Sequence, residues 1–75
     1  MTSDIRKLID AVPFVPFTIY LADGGQVRVP TVDHIALSPT GKRVIVFHDD
    51  DSSEVLSPLL ISRVSIDRES ISGPG

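Results

Sequence analysis

The chain has 75 residues, of which 41% are hydrophobic, and its seven Lys and Arg against ten Asp and Glu give a formal charge of −3. This apolar fraction is too high for an intrinsically disordered chain, and no run of about 20 uncharged apolar residues is present to span a bilayer. The absence of cysteine excludes thiolate catalysis, disulfides and zinc sites built on thiolates. The composition predicts one small soluble domain with no net attraction to phosphate backbones.

The small size of the chain favours self-association. A domain of this length buries only about 60% of the surface that its unfolded chain exposes, which leaves a thin margin of stability. Disulfides cannot reinforce it, because the chain has no cysteine. We therefore expect a homo-oligomer, in which contacts between copies add buried surface.

The amino-terminal segment predicts an amphipathic helix. Apolar residues recur at the i, i+3, i+4, i+7 spacing of one helix face: Ile5, Leu8, Ile9 and Val12. Thr2 or Ser3 can cap this helix, and Pro13 ends it. A secretory signal would instead need a basic start and a continuous apolar stretch, so we expect a cytoplasmic protein without a membrane partner.

From Phe17 onward the period of the apolar residues changes to two, which predicts strands. Phe17 to Leu21 and Gln26 to Val29 flank Asp23-Gly24, a pair that predicts a hairpin with a type I′ turn. A second hairpin is predicted around the turn at Ser38 to Lys42. Its second strand, 44–47, is apolar on both faces, which predicts a central strand that is covered on both sides.

The remaining residues add a polar loop at 49–53, a short strand at 54–56 and a longer strand at 61–66. The prediction is a mainly β (α+β) domain over residues 1–68, in which the helix precedes a small bent antiparallel five-stranded sheet or barrel. Residues 69–75 are predicted to form a flexible tail. The predicted core consists of Ile5, Leu8, Ile9, Phe17, Ile19, Leu21, Val27, Val29, Val44, Val46 and Val64.

Two family resemblances accompany this pattern. Pro13-Phe14-Val15-Pro16-Phe17-Thr18-Ile19 followed by Asp23-Gly24 resembles the PFxPFxhxhxDG segment, with h apolar, of a group of short uncharacterised bacterial proteins. That group implies no function. More distantly, residues 17–24, Val32-Asp33-His34-Ile35 and residues 55–64 resemble the two motifs of Sm-like proteins, including bacterial Hfq.

The Sm-like resemblance implies a helix followed by a bent, SH3-like five-stranded barrel that assembles into a ring. It does not carry over the RNA site of Hfq-type proteins. Where those proteins have an aromatic-Lys-His segment that contacts uridine-rich RNA, this chain has Leu56-Ser57-Pro58.

The densest group of possible metal ligands is His48-Asp49-Asp50-Asp51 with Glu54. A calcium-binding EF-hand loop needs a Gly at its sixth position and a Glu at its twelfth, and counting from Asp49 these positions are Glu54 and Leu60. A solvated hairpin loop is the favoured interpretation. Asp33-His34 could join His48 in a metal site or an acid–base pair, but surface or turn roles are favoured, with Asp33 capping a tight connection.

No sequence signal predicts an enzyme or a cofactor site. The chain has no Gly-x-Ser-x-Gly elbow, and Gly41-Lys42 lies in a turn, unlike the lysine of a phosphate-binding loop, which leads into a helix. Nucleic acid is an unfavoured partner, and its candidate contacts are Tyr20, Arg28, Lys42, Arg43, Arg63 and Arg68. The favoured function is a non-enzymatic interaction module that self-associates by edge-strand pairing, and the alternative is an Sm-like RNA-binding ring.

Overall fold

A computed structural model describes residues 2–67, apart from the side chain of Thr2. The predicted tail at 69–75 lies outside these residues, and so does Arg68. The elements in chain order are α1 (Thr2–Asp10), β1 (Phe17–Leu21), β2 (Gln26–Val29), η1 (Val32–His34), β3 (Ile35–Leu37), β4 (Val44–Phe47), β5 (Ser53–Leu56), η2 (Pro58–Leu60) and β6 (Ile61–Ile66), where η denotes a 3₁₀ turn.

The strands form two antiparallel three-stranded sheets, ordered β2-β1-β6 and β3-β4-β5. The predicted mainly β (α+β) domain with an amino-terminal helix is confirmed, whereas the prediction of one five-stranded sheet or closed barrel is wrong. Pro30 follows β2 directly and has no N–H for a strand ladder, and η1 then turns the chain into the second sheet. The chain therefore changes sheet at this point, where one five-stranded sheet or barrel was expected.

The core lies between the two sheets and under α1. Ten side chains are buried there: Ile5, Phe17, Ile19, Val27, Val29, Ile35, Val44, Val46, Leu56 and Ile61. Seven of these belong to the predicted core, and the other four predicted residues, Leu8, Ile9, Leu21 and Val64, are partly buried against it. Ile35, Leu56 and Ile61 were not predicted, because their strands are short or begin at a turn and show too little alternation.

The amino-terminal helix is shorter than its apolar spacing suggests. It ends at Asp10, and Val12 is exposed beyond it. The residue before a proline is disfavoured in the helical conformation, so Val12 cannot extend the helix toward Pro13. Ile5 is the fully buried residue of this helix and anchors it to the core.

The first hairpin has a different loop from the predicted type I′ turn. The N–H of Leu21 donates to the carbonyl of Gly25 at 2.8 Å, and the N–H of Gly24 donates to the carbonyl of Leu21 at 3.0 Å. This is a three-residue loop with positive φ at Gly24 alone, at 94°. It is the loop in which a type I turn is followed by one left-handed residue, a position that glycine occupies without steric cost.

Candidate interaction surface

The second sheet has an apolar outer face. Val44 and Val46 of β4 are fully buried toward the core, so Ile45 and Phe47 lie on the opposite face by the alternation of a strand. The prediction that β4 is a central strand is confirmed. Its predicted cover on both sides is not found among residues 2–67, because the side chain of Phe47 remains 42% exposed.

We call the row Ala36, Ile45 and Val55, with Phe47 beside it, the outer face. Ile45 is the register partner of Ala36 on β3 and of Val55 on β5, so the three residues form one cross-strand row. Val55 lies at the end of the row and is 60% exposed. Leu59 and Leu60 follow it along the chain with 93% and 57% exposure. Apolar surface therefore concentrates at and beyond β5.

Sequence reasoning did not single out Val55, Leu59 or Leu60. The exposed position of Val55 could have been inferred from the doubly apolar strand β4. A residue that pairs with Ile45 in the sheet must lie on the same face as Ile45. For Leu59 and Leu60 no signal was present, since an apolar pair after Pro58 is equally compatible with a buried turn.

The β5 edge of the second sheet is open among the described residues. The β4–β5 ladder is closed by the pair of His48 and Ser52, in which the N–H of His48 donates to the carbonyl of Ser52 at 2.8 Å. Hydrogen-bonded and non-bonded pairs alternate from there, so Glu54 and Leu56 bond to β4. The N–H and carbonyl groups of Ser53 and Val55 consequently point away from the sheet.

The β6 edge of the first sheet is open too, but charged side chains flank it. The N–H of Asp67 donates to the carbonyl of Pro16 at 2.9 Å, and the same alternation turns the backbone groups of Val64 and Ile66 outward. A groove between this edge and α1 is lined by Lys7, Leu8 and Arg63 among others. Charges beside an edge strand are a common means of discouraging unwanted pairing.

The acidic loop predicted between β4 and β5 is confirmed as a hairpin turn, and it repeats the geometry of the first hairpin. The N–H of Asp51 donates to the carbonyl of His48 at 3.1 Å, and Asp51 takes the left-handed conformation with φ of 75°. In both loops an aspartate accepts the N–H two residues later at 2.9 Å: Asp23 from Gly25, and Asp50 from Ser52. The aspartates therefore have a structural role in the turn.

The hydroxyl of Ser52 also donates to the Asp50 carboxylate, at 2.6 Å. Hydrogen bonds to the ionised form favour that form, so this hydroxyl and then the Ser52 N–H hold the pKa of Asp50 below its usual value. Because the pKa of Asp50 is lower in the folded state than in the unfolded state, its ionised carboxylate stabilises the fold at pH values above the unfolded-state pKa. That stabilisation is lost as the pH falls through the lowered, folded-state pKa.

We expect Ser52→Ala to raise the pKa of Asp50 toward the ordinary aspartate value, because it removes the first of the two donors and leaves the backbone N–H. Carbon-detected NMR titration of the side-chain carboxyl measures this pKa directly. The same titration of the natural chain provides the reference. An unshifted Asp50 in the variant would contradict the assignment of the hydroxyl as the main cause.

The two histidines bind different carboxylates. The Nε2 atom of His34 lies 2.8 Å from an oxygen of Asp49, and that of His48 lies 2.8 Å from an oxygen of Glu54. Within residues 2–67 no group of three or more His, Asp or Glu is arranged to hold a metal ion. The candidate ligands of the acidic loop are thus brought together in pairs.

His34 ties η1 to the acidic turn. Its Nδ1 atom lies 2.7 Å from the hydroxyl oxygen of Thr31. The Thr31 hydroxyl, the His34 imidazole and the Asp49 carboxylate therefore form a chain of hydrogen bonds. The Thr31 oxygen also accepts the N–H of Asp33 at 3.3 Å, as the N-cap of η1. The prediction that Asp33 caps this connection is wrong, because its backbone is the donor and Thr31 supplies the oxygen. The chain of bonds fixes the connection between the sheets to the end of β4.

The candidate nucleic-acid contacts fall into two groups. Tyr20 and Arg63 are register partners on the first sheet, and the guanidinium of Arg63 lies 4.1 Å from the centroid of the Tyr20 ring. Arg28 is paired with Asp67 at 2.7 Å. Lys42 and Arg43 lie in the connection between β3 and β4 of the second sheet, directly before β4. A base that stacks on Tyr20 would compete with Arg63 for the ring face.

The second sheet therefore has ends of opposite charge. Lys42 and Arg43 lie at the start of β4, and Asp49, Asp50 and Asp51 follow its end. Lys42 lines a surface cavity together with Ser57 and Leu59, so its end of the sheet adjoins the end of β5. We refer to these regions as the basic end and the acidic end.

None of the described helices is long and apolar enough to cross a membrane. No protein-family model, no curated protein and no solved structure matches the chain. The apolar outer face and the open strand edges are the surface features that a function has to explain.

Proposed function

We propose that the chain is a small non-enzymatic interaction module of the bacterial cytoplasm that associates with copies of itself through strand edges. The observation that carries this proposal is the apolar row of Ala36 and Ile45, which are half-buried, and Val55, which is 60% exposed at the open edge of β5 among residues 2–67. An interaction function explains both the apolar side chains and the unpaired backbone groups at this place.

Physical chemistry favours pairing at such an edge. Outward N–H and carbonyl groups can form a new ladder with a further strand, which fixes orientation and adds hydrogen bonds. Apolar area removed from water adds about 25 cal/mol per Å². For a chain of 75 residues with a thin margin of stability, this extra burial is a substantial fraction of the total.

Size-exclusion chromatography with light scattering tests the proposal. We expect a mass that is a multiple of 8.1 kDa, and an increase in the apparent mass as the concentration rises through the dissociation constant. A mass of 8.1 kDa at every concentration up to the millimolar range would overturn self-association.

The second candidate function is an Sm-like ring that binds RNA. Two features support it. The turn η2 joins β5 to β6, as a short turn joins the last strands in the second Sm motif, and β6 returns to pair with β1. On the first sheet, Tyr20 and Arg63 form an aromatic–arginine pair, a combination of side chains found on surfaces that bind nucleic acids.

The same chromatography separates the two candidates. The chain has one tyrosine and no tryptophan, so bound RNA would dominate the absorbance at 260 nm. The ring candidate requires a ring-sized mass and an affinity for uridine-rich RNA that falls as the salt concentration rises. An assembly that binds no such RNA at low salt would leave the interaction module as the remaining proposal.

A further inference from the structure

We propose that two copies of this chain form a two-fold symmetric dimer in which β5 pairs antiparallel with β5 of the second copy and Val55 lies at the two-fold axis. This inference rests on the proposed self-association and specifies its edge, its register and its charge pattern. The dimer would join the two β3-β4-β5 sheets into one six-stranded sheet.

The outward backbone groups limit the possible registers. Only Ser53 and Val55 of β5 direct their N–H and carbonyl groups to the open edge, so these residues must form the hydrogen-bonded pairs of the new ladder. Pairing Ser53 with Ser53 would place Val55 opposite Asp51, which is in the left-handed turn with φ of 75°. That register ends after a single residue pair.

The charge of Glu54 decides between the other two registers. If Ser53 pairs with Val55 of the second copy, Glu54 lies directly opposite Glu54. Like charges in directly opposite positions destabilise a sheet. If Val55 pairs with Val55, Glu54 instead lies opposite Leu56, and the two carboxylates are separated. The register with Val55 at the axis is therefore favoured.

This register makes the apolar row continuous. On the outer face, Val55 of each copy meets its equivalent, and the row of Ala36, Ile45 and Val55 continues into the same three residues of the second copy. The most exposed member of the row moves to its centre. The arrangement covers one flank of the Val55 side chain, which the single chain leaves 60% exposed.

The antiparallel arrangement also brings opposite charges of the two copies together. It places the acidic end of each sheet beside the basic end of the other, because the two strands run in opposite directions. Asp49, Asp50 and Asp51 of one copy approach the place where Lys42 adjoins Ser57 and Leu59 of the second copy. Two-fold symmetry makes this contact twice, which favours the correct orientation and speeds association.

The β6 edge does not offer the same complementarity. Two copies that met through β6 would bring Lys7 and Arg63 of each groove toward the same residues of the other, with Asp4 as the one acidic residue among the described residues that line the groove. Pairing of β5 with β6 of a second copy would be head to tail and would produce a ring or an open filament. The experiment separates the β5 dimer from these arrangements and from pairing through β2 or β3, the other edge strands of the two sheets.

Single-cysteine variants test the register, since the natural chain has no cysteine. Hydrogen-bonded residues directly opposite in an antiparallel pair have Cα atoms about 5.5 Å apart, within the range of about 4.4–6.8 Å that a disulfide spans. With oxidised glutathione as oxidant, we expect Val55→Cys to form a covalent dimer at least about tenfold faster than the controls, as seen on a non-reducing gel.

Two controls accompany this variant. Ser53→Cys lies on the same strand but does not meet its own equivalent in the proposed register, nor in the register that opposes Glu54 with Glu54. Val32→Cys places an exposed thiol away from β5 and measures random collision. A mixture of the Ser53→Cys and Val55→Cys chains cross-links to each other only in the register that opposes Glu54 with Glu54. Rapid mixed cross-linking would overturn the proposed register.

A charge variant gives an independent readout. Lys42→Glu should weaken the dimer roughly tenfold and reduce its sensitivity to salt, because two attractive contacts become repulsive. Lys42→Met, which removes the charge without reversing it, should weaken the dimer less than Lys42→Glu does. Equal dissociation constants for the Lys42→Glu variant and the natural chain would overturn the charge assignment.

The outcomes distinguish this inference from the function on which it rests. A monomeric natural chain overturns both. An oligomer in which Val55→Cys cross-links no faster than Val32→Cys overturns the β5 dimer and leaves self-association through another edge. Far-UV circular dichroism of each variant, equal to that of the natural chain, establishes that the fold is intact in every comparison.

Discussion

Ile19→Asp is expected to abolish the folded state. Ile19 is fully buried in the middle of β1, between its register partners Val27 and Val64 on the neighbouring strands. No buried polar or charged residue is present among the described residues to pair with a new carboxylate. An unpaired buried charge costs several kcal/mol, which is comparable to the roughly 5 kcal/mol of stability expected of a domain this small. Far-UV circular dichroism should report loss of the strand signal.

Thr18→Asp is the matched control for this change. Thr18 is the next residue on the same strand, it faces the opposite side of the sheet, and its register partner on β2 is Arg28. The same carboxylate should be tolerated there with a native spectrum. A native spectrum for Ile19→Asp as well would mean that the inward face of β1 has been assigned to the wrong residues.

Phe17→Ala is expected to lower the free energy of unfolding by about 3–5 kcal/mol, the usual cost of deleting a buried phenylalanine ring. Phe17 is the largest of the fully buried side chains, and its ring lies 5.8 Å from that of Phe14, between centroids, at a tilt of 51°. The variant therefore loses both a large apolar volume and an aromatic contact. Urea unfolding followed by circular dichroism measures the change.

Phe47→Ala is the control, because it removes the same kind of side chain as Phe17→Ala from an exposed position. Phe47 is 42% exposed on the outer face, so its removal should cost the isolated chain well under half as much as removal of Phe17. A comparable cost for the two variants would contradict the burial difference between them. If only the concentrated protein showed a large effect for Phe47→Ala, a second copy would pack on the outer face, an arrangement different from the edge-paired dimer.

The local features of this fold could be predicted from the sequence because single residues determine them. Alternation from Phe17 to Leu21 and from Gln26 to Val29 determines which side chains enter the core. Pro13 ends the helical pattern, and Gly24 marks a turn that needs a left-handed residue. The acidic loop could be recognised as a turn, since Asp and Ser supply the side-chain acceptors and donors that such loops use.

The division into two sheets and the outer face could not be predicted in the same way. Pro30 signals that β2 ends, but nothing near it states that β3 joins a different set of partners. The exposure of Val55 depends on its lying at the open edge of a sheet, and the partner of Tyr20 is Arg63, far along the chain. These properties are set by long-range pairing, which neither periodicity nor turn signals encode.

Because β1 lies between β2 and β6, its two partner strands become available at different times during synthesis on the ribosome. The hairpin of β1 and β2 can form as soon as both strands have emerged, but the other side of β1 receives its partner only after the strands of the second sheet and then Ile61–Ile66 have emerged. Until then an unpaired edge and the apolar face of β1 remain open to other chains, a situation in which nascent proteins aggregate or recruit chaperones. Such non-local pairing also slows folding. β6 is thus the strand that completes the sheet around β1.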